Sequence, residues 1–391
     1  MARHPFSDFN QRGIGRDQIP PNTFFRERGG SESSQQNALL IGGHASGSSR
    51  ERFNNSHGLG VLKEMDDTDR KLVQLIEENP RIPLRELAEK LGISVQVAHH
   101  RMQVIFQNWP LLRLSGCISG SYLGAVPMAV FGRSDAALVK EALDRLGESE
   151  FTRAAVASAG NQLFVVGELR DISQLDGYAD FVRWVAKMPA PTVGIYCLDE
   201  ELCPGYPVHG VSKLKPNCRE LTLLDLKIIA SLHDNARRTI ADIADMVGAS
   251  TKTVKRHLER MISDGSLSLE MRGDPTQGGD VEALVHVGLR DGADKMEVGR
   301  RLLSKYPFQI TYIRTFSNLP LFLLCIFYGN KMAEILKVLK EIGEDPDVVA
   351  ITPNITCAYR TYETWRDKLP AAMVANAKEI RKHSSSSGPR E

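Results

Sequence analysis

One stretch of sequence occurs twice in this chain of 391 residues. Residues 69–102 read DRKLVQLIEENPRIPLRELAEKLGISVQVAHHRM, and residues 225–258 read DLKIIASLHDNARRTIADIADMVGASTKTVKRHL. The two stretches align without a gap at an offset of 156 residues (225 − 69), and their apolar positions coincide. Each copy has the same pattern of side chains to bury, which predicts a chain built from two copies of one structural unit.

Each copy predicts three helices. The first, near residues 66–78 or 222–234, has apolar side chains at helical spacing. A short second helix, Leu84–Leu91 or Ile240–Val247, is followed by a glycine that can take the positive φ of a sharp turn. The serine two residues after that glycine is a natural N-cap for the third helix. A short helix, a glycine turn and a capped helix are the helix-turn-helix pattern.

Behind each copy the apolar pattern changes to the two-residue period of strands. Residues 111–119 and 265–272 predict wing or linker strands, and each half then shows the order βαββαβ of a ferredoxin-like unit. The predicted strands are 127–132, 153–158, 162–169 and 193–198 in the first half, and 283–289, 309–315, 321–328 and 348–359 in the second. The helices between them are predicted at 136–146, 175–187, 295–306 and 331–344.

The predicted fold class is α+β, with two repeats of a winged helix-turn-helix followed by a ferredoxin-like domain. Both chain ends lack apolar periodicity, so they cannot repay the entropy of ordering and are predicted to be disordered. The predicted domains are a disordered tail at 1–62, a first and degenerate winged helix-turn-helix at 63–120, a first ferredoxin-like domain at 121–200, a linker at 201–219, a second winged helix-turn-helix at 220–280, a second ferredoxin-like domain at 281–366 and a C-terminal tail at 367–391.

Composition leaves the function open but argues against several kinds of site. The 49 Lys and Arg nearly balance the 48 Asp and Glu, so any affinity for nucleic acid has to come from a local patch. The six cysteines form no CxxC pair, which argues against a zinc site or a disulfide framework. No apolar run reaches the roughly 20 residues that cross a bilayer, and the N-terminus has no signal-peptide core. We therefore expect a cytoplasmic protein without a metal, a cofactor or membrane contact.

The third helix of the second copy has a local patch of positive charge. Lys252, Lys255 and Arg256 face away from the apolar stripe formed by Val254, Leu258, Met261 and Ile262. Charges on a helix are often only a solvated face, but at the start of a recognition helix they lie where DNA phosphates and the major groove would be. The predicted DNA-binding residues are Ser250, Thr251, Lys252, Thr253, Lys255, Arg256 and Arg260.

The third helix of the first copy keeps the apolar face but not the cations. Gln96, His99 and His100 stand at the outward positions. Glutamine can read adenine, whereas histidine is mostly neutral near pH 7 and attracts phosphate weakly. Adjacent histidines diverge by about 100° on a helix, which argues against a metal pair. These three residues predict a weaker or scaffolding reader of DNA.

The motifs LRELAEKLGISVQVAHHRM and IADIADMVGASTKTVKRHLERMISDGSL, with a βαββαβ segment behind each, resemble the Lrp/AsnC family of transcriptional regulators. The resemblance covers residues 64–366 in two tandem copies, whereas members of that family usually carry one copy and dimerise. It implies a transcriptional regulator that binds double-stranded DNA at specific sequences. It also implies an amino-acid effector site near the hairpin between the second and third strands of the ferredoxin-like domain. The hairpin residues that correspond to this site are Gly160, Asn161 and Asn318.

Both hairpins lack Asp and Glu, so a buried ammonium group would have no carboxylate partner there. The interpretation as simple turns is therefore preferred, and the effector stays unknown. For assembly, the sequence favours pairing of the two ferredoxin-like domains within one chain, because fusion gives a high effective concentration. A homo-oligomer remains the alternative. The apolar side chains that such pairing would bury are Phe164, Val166, Phe322 and Leu324.

Two other functions remain open on sequence grounds. Some proteins with this architecture resemble siroheme decarboxylases, in which a cluster of His and Arg meets the carboxylates of a tetrapyrrole. The candidates here, His209, His233 and His286, are isolated, and no catalytic residues are apparent. The sequence therefore predicts that the chain is not an enzyme. The other alternative is a scaffold whose winged helices bind protein rather than DNA.

Overall fold

The computed structural model describes residues 66–108, 113–136, 139–197, 200–203, 218–273, 281–329 and 331–386. The predicted N-terminal tail, most of the predicted linker and His209 lie outside the described residues. None of the described helices combines the length and the apolar character that crossing a bilayer requires.

The first helix-turn-helix consists of α1 (Asp67–Glu78), α2 (Leu84–Leu91) and α3 (Val95–Asn108). The side chain of Asp66 caps α1 by accepting a hydrogen bond from the Asp69 N–H at 2.8 Å. Gly92 ends α2 with φ +66°, the left-handed conformation that the turn requires. The three helices bury one apolar cluster, which includes Leu72, Leu87 and Ile105. The predicted helix-turn-helix is confirmed here.

The second helix-turn-helix repeats this arrangement with α7 (Leu223–Leu232), α8 (Ile240–Val247) and α9 (Thr251–Asp264). Gly248 has φ +69°, and Ser250 caps α9 by accepting a hydrogen bond from the Thr253 N–H at 3.2 Å. Of the predicted apolar stripe on α9, Val254, Leu258 and Met261 are buried. Ile262 is 45% exposed, so its assignment to the core was wrong: it lies at the edge of the buried stripe.

The two wing strands pair with each other rather than within their own copies. β1 (Arg113–Ile118) and β6 (Leu267–Arg272) form a two-stranded antiparallel sheet. Arg113 lies opposite Arg272 and Gly116 lies opposite Leu269. At the repeat offset of 156, residues 113 and 116 correspond to 269 and 272. Exchange of the two copies therefore maps this ladder onto itself, which is the property of a pseudo-two-fold axis.

Two equivalent arginines also cross between the helix-turn-helix domains. Arg81, after α1, donates to the backbone carbonyl oxygens of Ala236 and, at 3.1 Å, Arg238. Its counterpart Arg237, after α7, donates to the carbonyl oxygens of Pro80 at 2.8 Å and Ile82 at 3.0 Å. Each copy thus satisfies backbone carbonyls of the other copy. This exchange holds the two domains in a defined relative position.

The two ferredoxin-like units follow the predicted order of strands and helices. The first unit consists of β2 (Val126–Arg133), α5 (Val139–Leu146), β3 (Thr152–Ser158), β4 (Gln162–Leu169), α6 (Leu175–Val185) and β5 (Thr192–Ile195), and a short helix α4 (Gly120–Leu123) precedes it. The second unit consists of β7 (Val281–Leu289), α10 (Lys295–Lys305), β8 (Ile310–Phe316), β9 (Leu319–Gly329), α11 (Met332–Gly343) and β10 (Val348–Thr361).

Both units share one sheet of eight strands in the order β5-β2-β4-β3-β10-β7-β9-β8. Strand β10 joins them, because its first part pairs with β7 and its last part, Thr356–Thr361, pairs antiparallel with β3. At the other end Tyr196, just after β5, forms a bridge with Phe316 of β8. The two ends of the sheet therefore meet, and the inner faces of the units close on one another.

One apolar cluster fills the space between the inner faces. Phe131, Phe164 and Val166 from the first unit pack in the same cluster as Phe316 and Leu324 from the second. Phe131 and Phe164 stack with their ring centroids 5.5 Å apart. Burial of these aromatic groups supplies the apolar surface that holds the units together. In this structure the burial that the sequence demanded is met within one chain.

The predicted C-terminal tail is wrong for most of its length. Helix α12 (Trp365–Ser386) occupies it, although Pro370 stands inside the helix and its sequence is polar. The start of α12 is anchored by buried residues: the indole N–H of Trp365 donates to the carbonyl oxygen of Glu168 at 2.8 Å, and Arg366 is fully buried. Tertiary packing against α7 and β1 thus overrides a weak local signal.

The pairing of sheets within one chain predicts the state of the protein in solution. We expect the protein to scatter light as a monomer whose apparent mass does not change on dilution, because the inner faces already cover each other. Light scattering over a dilution series measures this. An obligate dimer at every concentration would contradict it.

A pair of glycine variants tests the junction between β5 and β8. A Cβ on Gly194 would lie 2.3 Å from the ring of Phe316, whereas a Cβ on Gly177 of α6 meets nothing within 4 Å. Gly194→Ala should therefore open the junction and promote concentration-dependent association. Gly177→Ala is the matched control and should behave as the unmodified chain does.

Candidate nucleic-acid interface

Helix α9 presents the predicted cations on its exposed face. Lys252, Lys255 and Arg256 are all exposed, while Val254 and Leu258 on the opposite face are buried. The apolar stripe therefore docks α9 on its domain and leaves the cationic face in solvent.

These cations have little internal neutralisation. Lys255 lies 3.7 Å from Glu259, but both side chains are about two-thirds exposed, so this i,i+4 contact contributes little. In the described part of the chain, no ion pair is recorded for Lys252 or Arg256. Their charge is therefore available to a ligand.

The N-terminal end of α9 lies beside the same face. Thr251 is exposed, and the hydroxyl oxygens of Ser250 and Thr253 lie 2.9 Å apart. The first N–H groups of a helix carry a partial positive charge that favours a phosphate. The predicted residues from 250 to 256 are thus brought together on one end of one helix, as expected for a recognition helix.

Arg260 departs from the prediction. Its guanidinium lies 2.7 Å from the buried carboxylate of Asp225 in α7 and 3.4 Å from Asp264. His257 Nδ1 also lies 2.7 Å from Asp225. The structure therefore places Arg260 in ion pairs within the domain. It stabilises the position of α9 rather than belonging to the exposed cationic face.

Asp225 is fully buried and links α7 to α9. Burial raises the pKa of this carboxyl, but hydrogen bonds from Thr222 and His257 outweigh that effect and hold the pKa below its ordinary value. The first copy has the same contact in a more exposed form, because Arg101 lies 2.7 Å from both Asp66 and Asp69.

We expect Asp225→Asn to lower the free energy of unfolding by about 2–3 kcal/mol, because a buried carboxylate with charged partners is lost. A carboxyl with a lowered pKa stabilises the fold above its unfolded value of about 3.9 and loses that effect as pH falls through the folded value. Denaturant titrations at pH 7 and at a pH below about 3.9 measure both effects. The variant should differ less from the original chain in acid than at pH 7. Asp69→Asn is the control, with a smaller expected loss, because Arg101 keeps Asp66.

Helix α3 exposes a different surface at the positions that match the face of α9. Gln96, His99 and His100 are exposed, as predicted. Val95 and Val97 are also exposed, at 45% and 43%. Both valines lie in the first turn of α3. Neither was among the site residues predicted from the sequence. Their outward positions could have been read from the same helical turn that identified Gln96.

The residues proposed for an effector site belong to two turns. Gly160 and Asn161 have φ of +73° and +60° in the turn between β3 and β4. In the turn between β8 and β9, the side chain of Asn318 accepts from the Ile195 N–H at 2.9 Å and donates to the Val193 carbonyl oxygen at 2.7 Å. Asn318 therefore fastens β5 to β8, and its amide is already used. The effector interpretation loses its support at this residue.

The described histidines of the tetrapyrrole alternative lie far apart in the fold. His286 on β7 packs between the two ferredoxin-like units. Its ring centroid lies 5.2, 5.1 and 5.0 Å from those of Phe131, Phe164 and Phe322. Burial lowers its pKa to about 4, so it is neutral at pH 7.

His233 instead follows α7, 3.1 Å from Glu363. It lines a pocket of about 30 Å³ that also contains Arg113 and Arg272.

A buried ion network connects the eight-stranded sheet to the wing strands. It was not predicted from the sequence. Arg366 of α12 is fully buried and donates to both carboxylate oxygens of Glu168, at 2.8 and 2.9 Å. It also donates to Glu270 of β6 at 3.2 Å and to the carbonyl oxygen of Ile118 at 2.9 Å. One signal was visible in the sequence: Glu168 falls on the same strand face as Phe164, where a charge needs a partner.

Three more charged groups complete the network around Glu270. Arg153 of β3 donates to its carboxylate, Arg272 lies 3.4 Å from it, and Asp367 lies 2.5 Å from Arg272. Burial raises the pKa of Glu270, but the surrounding arginines outweigh it and hold the pKa well below its ordinary value. At the repeat offset, the first copy has Leu114 where the second has Glu270. The buried carboxylate of the network therefore comes from the second wing, whereas the first wing contributes the carbonyl oxygen of Ile118.

A family model described as winged helix-turn-helix DNA-binding matches residues 65–104 and 221–265. The chain carries two winged helix-turn-helix domains. These matches coincide with the two copies of the repeat, and they include all of α9 and the first ten residues of α3. No curated protein matches the chain.

Several solved structures are similar to this chain over different shares of its length. The siroheme decarboxylase NirDL matches with a TM-score of 0.51 and 12% identity, over 80% of this chain and 100% of that chain. Its co-complex with an iron-uroporphyrin III analogue matches with a TM-score of 0.50 and 12% identity, over 81% and 99%. AsnC from E. coli matches with a TM-score of 0.30 and 20% identity, over 35% and 92%. The likeness to NirDL shows a common fold, and the predicted α+β fold of two repeats is confirmed.

The prediction that the chain is not an enzyme is overturned by this comparison. The combination of winged helix-turn-helix and ferredoxin-like domains resembles that of a regulator. NirDL is an enzyme and shares this fold over its whole length. The architecture therefore does not distinguish a regulator from an enzyme. The function has to be inferred from the chemistry of the exposed side chains.

Proposed function

We propose that this protein is a sequence-specific regulator of transcription that binds double-stranded DNA with α9 in the major groove. The observation that carries the proposal is the exposed face of Lys252, Lys255 and Arg256 at the start of a capped recognition helix. In helix-turn-helix proteins the N-terminal residues of this helix contact base edges and the neighbouring phosphates.

The charge distribution supports a local contact. The whole chain has a formal net charge of +1, so it has no overall attraction to DNA. Three cations on one helix end nevertheless provide phosphate contacts, each of which releases a condensed counterion. Arginine and lysine also pair well with the O6 and N7 acceptors of guanine in the major groove.

The assembly supports the same proposal. The wing sheet and the exchanged arginines Arg81 and Arg237 relate the two recognition helices by a pseudo-two-fold axis within one chain. Two-fold pairs of helix-turn-helix domains bind two half-sites on one duplex. The ferredoxin-like units would then supply, in a single chain, the association that places two readers side by side.

A salt series on duplex binding tests the proposal. The full-length protein is first used to select duplexes from a random library, and its affinity for a selected duplex is measured between about 50 and 200 mM salt. We expect the logarithm of the affinity to fall linearly with the logarithm of salt concentration, with a slope of about −2 or steeper. Absence of duplex binding at low salt would overturn the proposal and favour the scaffold alternative.

The second candidate function is that of a tetrapyrrole enzyme, which the fold shared with NirDL favours. Such a substrate carries several carboxylates, and basic side chains of this chain meet at the pocket of Arg113, His233 and Arg272. Addition of siroheme to the purified protein tests this candidate. A shifted visible absorption band that saturates at one equivalent supports it, and an unchanged spectrum opposes it.

A further inference from the structure

The first turn of α3 carries exposed side chains that differ from those of α9. At the repeat offset, Val95 and Val97 of α3 take the places of Thr251 and Thr253 of α9. Valine and threonine have nearly the same shape, so each substitution keeps the methyl group and removes the hydroxyl. Val95 and Val97 are 45% and 43% exposed, although neither helps to build the core of the domain. Their exposure leaves both valines available to a partner surface.

The side chains beside the valines have a consistent chemistry. Gln96 is exposed between them, and His99 and His100 follow one turn later. A glutamine amide pairs with the N6 and N7 groups of adenine, and apolar side chains contact the C5 methyl of thymine. The matching positions on α9 carry Lys252, Lys255 and Arg256, which suit guanine and phosphate instead. The exposed side chains of the two helices thus suit different base pairs: A·T pairs for α3 and G·C pairs for α9.

Both helices are held in equivalent positions. The wing ladder and the reciprocal hydrogen bonds of Arg81 and Arg237 map one helix-turn-helix onto the other. Whatever surface α9 presents to one half-site, α3 presents its own surface to a site related by the same axis. If α9 enters the groove of one half-site, the same axis directs the exposed valines of α3 towards the other half-site.

We propose that α3 is a second base reader, specific for A·T pairs, so that one chain recognises an asymmetric operator. One half-site contains thymine methyls and adenines read by Val95, Val97 and Gln96. The other half-site is rich in guanine and is held by the cations of α9. This inference rests on the proposed function, since it assumes that the second helix-turn-helix binds duplex DNA.

Selection and methyl deletion together test the inference. Duplexes are selected from a random library with the full-length protein and with the variant Val95→Ser/Val97→Ser. The selected sites of the original protein should join a guanine-containing half to an A·T-rich half. Those of the variant should keep only the first. Replacement of thymine by uracil removes the C5 methyl, and each lost contact should weaken binding about fourfold. Two contacts together should cost the original protein about fifteenfold.

One control changes the duplex and another changes the protein. Uracil placed only in the half-site of α9 should leave the affinity nearly unchanged. Val95→Ile/Val97→Ile keeps both side chains apolar and should retain the A·T preference. The serine variant should keep its melting temperature, because both valines are exposed. If uracil in the A·T half has no effect and both proteins select the same sites while salt-dependent binding persists, the inference is overturned and the proposed function stands. If no duplex is bound at all, both fall.

Discussion

Replacement of Lys252, Lys255 and Arg256 together by alanine should weaken duplex binding about a hundredfold at moderate salt, the largest effect that we expect on function. The three side chains are exposed, and among the described residues their one ion pair is the weak contact of Lys255 with Glu259. Their removal should therefore spare the fold and take away phosphate contacts. The slope of log affinity against log salt should become shallower by about 2 to 3, because each phosphate contact contributes roughly 0.9.

The matched control is the triple change of Gln96, His99 and His100 to alanine on α3. These positions carry no permanent positive charge, so the salt slope should stay as it is even if the base preference of α3 changes. The salt slope is therefore the decisive quantity, measured by fluorescence anisotropy at several salt concentrations. An equal flattening of the slope in both triple variants would contradict the assignment of phosphate binding to α9.

The largest effect on stability is expected from Arg366→Met. Arg366 is fully buried and supplies two hydrogen bonds to Glu168 and one to Glu270. Methionine fills a similar volume but leaves Glu168, buried in the sheet, without its bidentate partner. Removal of one member of a buried ion pair costs about 3–5 kcal/mol, because the remaining charge stays out of water. Denaturant titration at pH 7 should show a loss of this size in the free energy of unfolding.

Two further variants separate the ion network from the volume change. Arg183 on α6 pairs with Asp180 at the surface, at 3.2 Å with both side chains more than half exposed. Arg183→Met should therefore cost no more than about 0.5 kcal/mol. The double variant Glu168→Gln/Arg366→Met removes the uncompensated charge and should regain part of the loss. A loss for Arg366→Met no larger than that for Arg183→Met would show that the buried network contributes little.

The network also has a functional consequence that the Arg366 variant can reveal. Through Glu270 it joins the wing of the second helix-turn-helix to strands β3 and β4 of the first ferredoxin-like unit. The first wing has Leu114 at the equivalent position and packs it into the core of its own domain. Loss of Arg366 should therefore disturb the second helix-turn-helix more than the first. Hydrogen exchange, read separately for α9 and α3, measures that difference.

Local pattern was enough to predict most elements of this protein and the face of α9. Helical and strand periodicities are properties of neighbouring residues, so the predicted bounds of α2, β4 and α8 agree with those observed. The glycine turns and serine caps act over three residues, and Lys252, Lys255 and Arg256 point outward because the apolar stripe of the same helix has to point inward.

Contacts between distant segments could not be predicted in this way. The pairing of β1 with β6, the join of β3 to β10 and the bridge between β5 and β8 connect residues more than 100 positions apart. Many registers satisfy the same apolar pattern, and only the closed packing of both units selects one. For the same reason Arg260 was assigned to DNA until Asp225 was found beside it, and α12 was read as a tail until its buried start was seen. A charged side chain looks alike in sequence whether its partner is a phosphate or a buried carboxylate, because only the three-dimensional fold brings that partner within reach.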